Sequence, residues 1–155
     1  MPVVVCTQIY LFRDGQVCLP MKKRGFGQGW HNGYGGKVEE GESVEESARR
    51  ELREEAAVEC AVMDKRAELV FNFARDKKTI LSHVYFCGEF SGEPKETEEM
   101  KPFWFNFEQI PYAEMWPDDI IWFPKFIAGE TFRAEFEFLD SKPTLGRHAI
   151  ETMAF

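Results

Sequence analysis

No Cys-x-x-Cys pair occurs in this chain, and no histidine spacing completes a zinc site around its four cysteines. Cys6, Cys18, Cys60 and Cys87 are therefore expected to be small buried apolar groups in a reducing compartment. No run approaches the ~20 apolar residues of a membrane helix. The apolar N-terminus lacks a basic region and a cleavage site. Both absences lead to the expectation of a cytoplasmic protein with no membrane partner. Positive charge is scarce too: 19 Lys and Arg face 27 Asp and Glu, a net charge of −8. Sequence-independent binding to a nucleic acid polymer needs a basic footprint, so that class is excluded. There is no repeat, low-complexity tract or linker. Residues 1–155 are read as one domain, expected to be a monomer.

The chain is rich in apolar residues, at 44%, enough for a sizeable core, and its 15 Phe and 4 Trp suggest stacking surfaces as well as packing. Residues 3–12 are β-prone, Asp14-Gly15 signals a turn, and residues 17–20 resume a strand. Residues 21–36 form a glycine-rich basic loop running into a short strand. Further strands are expected near 59–63, 67–74, 79–88, 100–106 and 131–138, the last from its alternation of Phe132, Ala134, Phe136 and Phe138 with charged residues. A helical turn is expected at 107–110. A second helix should start near Pro117-Asp118-Asp119 and run towards Phe126. This mix implies an α/β sandwich.

The segment 36–58 is the most informative. Ser43 and Glu46 fit a capping box, and Val44, Ala48, Leu52 and Ala56 give a narrow apolar stripe for a helix over 44–56. The same helix carries Glu51, Glu54 and Glu55, whose spacing puts three carboxylates on adjoining parts of its surface. Like charges there destabilise a helix by roughly 0.2–0.5 kcal/mol per pair. A divalent cation would reverse the sign, and carboxylate oxygens suit Mg²⁺. A solvated acidic face is the alternative. Arg50 can pair with a neighbouring acid and hold it in place.

Gly36, five residues, Glu42, seven residues, Arg50-Glu51-Leu52, one residue, Glu54-Glu55: this spacing resembles the Nudix box, Gly-x5-Glu-x7-Arg-Glu-U-x-Glu-Glu-x-Gly-U with U apolar. Ala57 departs from it, standing where the family has glycine, so the helix is expected to end less sharply or run on. The resemblance implies an α/β/α sandwich with a mixed sheet and a Mg²⁺-dependent hydrolase of phosphorus anhydrides, with Mn²⁺ a possible substitute.

Outside the box, Lys22, Lys23 and Arg24 form a cationic cluster suited either to a triphosphate or to a solvated turn, with Lys22 the first choice. Glu99 offers a fourth carboxylate from a distant loop. Trp116-Pro117-Asp118-Asp119 joins a stacking ring to paired carboxyls, one of which can stay neutral and donate a hydrogen bond. The same four residues also suit a packed helix N-terminus. Asn32 can read a base edge or simply turn the chain. Phe71 and Phe73 alternate on a strand, lining a pocket or packing the core.

Residues 21–27, 32–38, 99–100, 115–119 and 122–124 resemble the oxidised-purine nucleoside triphosphatases of the Nudix superfamily. That likeness implies a small nucleotide substrate such as 8-oxo-dGTP or 2-hydroxy-dATP, cleaved to monophosphate and pyrophosphate to sanitise the nucleotide pool. It implies substrate contacts at Lys22, Phe26, Asn32, Phe71, Trp116, Asp118 and Asp119. The metal ligands would be Glu51, Glu54, Glu55, Glu99 and the Gly35 carbonyl, with Glu51, Glu55 and Glu99 catalytic and the general base either Glu51 or Glu99. Two departures, Trp30-His31 before Asn32 and Gln8 in the first strand, are expected to bear on base preference. Other Nudix specificities (ADP-ribose, a dinucleoside polyphosphate, general nucleotides) and a non-catalytic nucleotide-binding module stay open.

Overall fold

The computed structural model describes residues 2–140 and 144–155. In chain order the elements are β1 (Val3–Arg13), β2 (Gln16–Cys18), β3 (Met21–Lys22), α1 (Val44–Ala56), β4 (Glu59–Cys60), β5 (Asp64–Phe73), β6 (Lys78–Cys87), β7 (Phe90–Ser91), β8 (Met100–Lys101), β9 (Trp104–Asn106), α2 (Asp119–Ile127), β10 (Phe132–Phe138) and β11 (Leu145–Thr152). Short 3-10 turns lie at Phe107–Gln109 and Tyr112–Glu114.

A seven-stranded sheet runs β11-β10-β5-β6-β1-β2-β9. The β1/β6 and β10/β5 pairs are parallel and the other pairs antiparallel, so the sheet is mixed. Alternation along β1 divides the core between the two faces. Ile9 and Leu11 pack with Ala48, Leu52 and Ala56 of α1, while Tyr10 and Phe12 pack with Trp122, Phe123 and Phe126 of α2. This is the expected α/β/α sandwich, with the box helix on one face.

Helix α1 starts as its sequence requires: Ser43 Oγ accepts from the Glu46 amide at 3.1 Å and Glu46 returns a bond to the Ser43 amide at 3.0 Å. Its end differs from expectation. Ala57 adopts φ 58°, ψ 39° and its amide bonds to Arg53 O at 3.0 Å, closing the helix in the left-handed conformation despite its Cβ. The segment after the basic loop lies along β1 through Thr7 N to Gly36 O, Tyr34 N to Ile9 O and Val38 N to Val5 O. A Cβ on Gly35, at φ +145°, would meet Thr7 O at 1.9 Å; one on Gly36 would meet Glu51 Oε1 at 2.6 Å. These two glycines let the loop press between β1 and α1.

Two further expectations are corrected, and one strand was not expected. Cys60 and Cys87 are joined in a disulfide across a Cα–Cα distance of 6.2 Å, leaving only Cys6 and Cys18 as free thiols. The cause is the β4/β7 pairing, Cys60 with Phe90, which brings together cysteines 27 residues apart. The strand expected over 100–106 is broken around Pro102 into β8 and β9, which join different sheets. Strand β11, with its mostly exposed residues, gave no alternation to read. No helix among the described residues is long and apolar enough to cross a membrane.

Candidate active site

A cavity of about 230 Å³ opens on the α2 side of the sheet. Its floor crosses the strands from Phe138 on β10, over Phe71 and Phe73 on β5 and Ile80 and Ser82 on β6, to Gln8 on β1. Beyond β1 it ends on Gly35, Gly36 and Glu55; its walls hold Lys22, Asn32, Trp116, Asp118 and Asp119, and Phe26 leans over from the basic loop. Phe26 is 67% exposed and tilts against Trp116 with ring centroids 4.9 Å apart. The expected substrate residues, separated by almost a hundred positions in sequence, thus share one cavity.

The acidic residues divide. Glu55 is buried, accepts the Gly35 amide at 2.7 Å and reaches the cavity. Burial pushes its carboxyl up to about 8, with the charges of Glu51 and Glu99 adding to the rise and Lys22 opposing it. Glu51, against Gly36, is raised mainly by burial. Arg50 clamps the box: it bonds Glu42 at 2.8 and 3.0 Å, Glu51 at 3.0 Å and Glu54 at 3.3 Å. The guanidinium and the Glu39 amide push the Glu42 carboxyl down to about 2. Glu42 therefore anchors Arg50, and Arg50 holds the two other glutamates. Glu54 points outward, and Glu99 is held by Arg24 through bonds of 2.6 and 2.9 Å. Among the described residues no group of three or more His, Cys, Asp or Glu is gathered as a ready cation site. The two arginines, not one another, are the partners of Glu51, Glu54 and Glu99.

Of the basic cluster, Lys23 pairs with Glu96 at 2.7 Å and Arg24 with Glu99. Lys22 makes no ion pair among the described residues and lines the cavity.

The aspartate pair is built differently. Asp118 Oδ2 accepts Trp122 Nε1–H at 2.7 Å, and Asp119 Oδ2 accepts the Trp116 amide at 3.1 Å. Neither is spent as the N-cap side chain of α2. Both are buried, and burial pushes both carboxyls above the usual range; the Asp118 charge raises Asp119 further, while bonds from Trp122 and Asp119 hold Asp118 down. Burial and mutual repulsion therefore favour a proton held by the pair, with Asp119 raised further than Asp118. The core tryptophan of this segment is Trp122, which frees Trp116 to line the cavity.

The two departures separate here. His31 is buried away from the cavity, with Nδ1 at 2.8 Å from Leu19 O and its ring edge-on to Phe103 and Phe105. Trp30 meets Trp116 edge-on at 4.9 Å and lines an outer recess rather than the main cavity. Gln8 lines the cavity itself. Ser82, Ile80 and Phe138 were not singled out from the sequence. Their alternation with Phe71, Phe73 and Gln8 on paired strands was the signal that could have found them.

The NUDIX domain model matches residues 2–126. The chain belongs to the NUDIX family. This NUDIX chain is 41% identical over 132 residues to the oxidized purine nucleoside triphosphate hydrolase of Danio rerio, covering 85% of each protein. It is 39% identical over 149 residues to the protein of the same name from Mus musculus, covering 96% of each. A crystal structure of a MutT protein from Bacillus halodurans superposes with a TM-score of 0.83 at 22% identity, covering 96% of this chain and 97% of that one. That likeness carries the fold.

Proposed function

We propose that this NUDIX chain hydrolyses oxidised purine nucleoside triphosphates to the monophosphate and pyrophosphate, removing damaged nucleotides from the pool. The observation that carries the reading is the single cavity joining Glu55, Gly35 and Gly36 at one end to Asn32, Trp116, Asp118 and Asp119 along its walls. A purine spans the aromatic part while its phosphates reach the glutamates. The names of the zebrafish and mouse relatives support the same substrate class.

The residues fit a hard divalent cation. Glu51, Glu54, Glu55, Glu99 and the Gly35 carbonyl offer oxygen alone, the donor set of Mg²⁺. Glu54 and Glu99 sit in surface ion pairs, which are weak and open readily. A bound Mg²⁺, or Mn²⁺ in its place, supplies Lewis acidity to phosphate oxygens and lowers the pKa of water. The chain's own side chains do the rest. Lys22 neutralises phosphate charge. Arg50 keeps Glu51 and Glu54 oriented, as outer partners of ligating carboxylates do. Glu51 is assigned as the general base ahead of Glu99, because it abuts Gly36 at the end of the cavity. Trp116 stacks on the base, and the neutral Asp119 donates where Asp118 accepts, a pair able to match the altered donor–acceptor pattern of an oxidised purine.

The test is turnover of 8-oxo-dGTP, 2-hydroxy-dATP, dGTP, ADP-ribose and a dinucleoside polyphosphate, with and without Mg²⁺. Mg²⁺-dependent preference for an oxidised purine, with pyrophosphate released, is expected. Preference for ADP-ribose or the dinucleoside substrate would overturn the substrate assignment, and nucleotide binding without turnover would overturn the catalytic one.

A further inference from the structure

The cavity floor is apolar over Phe138, Phe71, Phe73 and Ile80 and turns polar where β6 meets β1. There Ser82 Oγ donates to Gln8 Oε1 at 2.7 Å, and Gln8 Nε2 donates to the Tyr10 hydroxyl at 2.9 Å. Gly33 lies close against the Tyr10 ring, where a Cβ would meet Cζ at 2.8 Å. Ser82 and Tyr10 are buried, while Gln8 is half-buried and open to the cavity. The parallel register produces this group: Cys6 pairs with Ser82 and Gln8 with Val84, so Gln8 and Ser82 share one face of neighbouring strands.

A carboxamide has two N–H donors and two acceptor lone pairs. Ser82 and Tyr10 use one of each. Both partners are hydroxyls, so either orientation of the amide leaves one N–H and one lone pair for the cavity. A donor beside an acceptor in one plane matches a base edge that offers an acceptor beside a donor, as when glutamine reads adenine N7 and N6. If a base covered this floor without pairing with it, buried polar groups would be left unsatisfied, so a mismatched edge is penalised. The aspartate pair and Asn32 stand on the walls, which makes the floor a second, separate reader.

We propose that Gln8, held in place by Ser82 and Tyr10, is a specificity-determining residue that selects bases presenting a neighbouring acceptor and donor to the sheet. The inference rests on the reading of the cavity as a purine nucleotide site and goes beyond it by assigning a second edge of the base to this chain's own polar floor.

The test needs no turnover. Wild type, Q8M, Q8N and S82A are titrated calorimetrically, without divalent ions, with 8-oxo-dGMP, 2-hydroxy-dAMP, dGMP, dAMP and 7-deaza-dGMP. Q8M keeps the length of the side chain and loses its polar groups. It is expected to weaken the best-bound base by about tenfold or more and the others little, flattening the ranking. S82A shifts the ranking the same way but less, because Gln8 loses one anchor. Q8N, an amide on a shorter stem, also alters the ranking and carries the test should Q8M not fold. An unchanged ranking, or equal weakening of every nucleotide, overturns the proposal, since a merely structural glutamine gives one or the other. Wild type preferring an unmodified base, with that preference erased in Q8M, would break the oxidised-purine reading and leave the role of Gln8 standing. An oxidised-purine preference untouched in Q8M would do the reverse. Wild type binding none of the five would overturn both.

Discussion

Two groups of carboxylates stand at opposite parts of one cavity, the glutamates reaching it through Glu55 alone, and they resolve the repulsion of like charges in different ways. Around the box the acids are paired with cations: Arg50 spans Glu42, just before α1, and Glu51 and Glu54 on it, while Arg24 holds Glu99 from the loop before β8. At the start of α2, Asp118 and Asp119 are buried where no arginine or lysine bonds to them among the described residues, and burial instead raises both carboxyls so that protonation offsets the repulsion. Side-chain chemistry is nearly the same in both. Burial and partners make one group suited to a divalent cation and the other to a hydrogen-bonding base. Glu55 lies between these extremes, buried like the aspartates but on the helix of the glutamates.

The largest effect expected from separating the two groups is that of E55Q. The amide oxygen can still accept the Gly35 amide, so the fold should hold. The carboxylate that would ligate the cation is lost, and turnover should fall by about a thousandfold or more, as expected when several kcal/mol of transition-state charge stabilisation are removed. Steady-state kinetics beside a melting curve checks this; full activity would remove the glutamates from the chemistry.

D119N acts on the other group. Its amide keeps an oxygen for the Trp116 amide but fixes the donor that Asp119 held as a mobile proton. Discrimination between 8-oxo-dGTP and dGTP, measured as a ratio of kcat/KM, should drop roughly 10–100-fold. Stability should move the other way. Burial raises the aspartate pair above its unfolded value, so the folded chain keeps protons that the unfolded chain has released. The contribution of the pair is full below the unfolded pKa of about 3.9 and is lost as pH rises through the raised values. The Tm gain of D119N over wild type should therefore be absent near pH ~4 and grow towards neutrality. A gain largest in acid would contradict the shared proton.

The smallest effect serves as a control that leaves both groups alone. A57G relieves the left-handed conformation of a residue with a Cβ, a strain of order 1–3 kcal/mol offset in part by the added chain entropy of glycine. Tm should rise by about 2–4 °C for each kcal/mol gained, with substrate ranking unchanged.

How much of this was legible beforehand follows the range of each signal. The start of α1 is a local matter of Ser43 and Glu46, and it was read correctly. Its sharp end at Ala57 was not, because nothing in an alanine side chain favours the left-handed conformation it adopts. The Trp-Pro-Asp-Asp segment stood out in the sequence, but its residues alone suited a packed helix N-terminus, and the base-binding reading came from the family resemblance. Its use of Asp118 on Trp122 and Asp119 on Trp116, instead of on a helix cap, depends on burial that sequence does not display. The Cys60–Cys87 bond and the Ser82–Gln8–Tyr10 chain arise only once distant strands pair. Strand β11, whose residues are mostly exposed, left no periodic trace.

The central claim is that one cavity houses two separable groups, one for phosphate chemistry and one for the base. Calorimetric titration of 8-oxo-dGMP into wild type, E55Q and D119N without divalent ions tests it most directly. The account predicts that E55Q binds as wild type does and that D119N loses affinity. Loss of binding in E55Q with retention in D119N would contradict it.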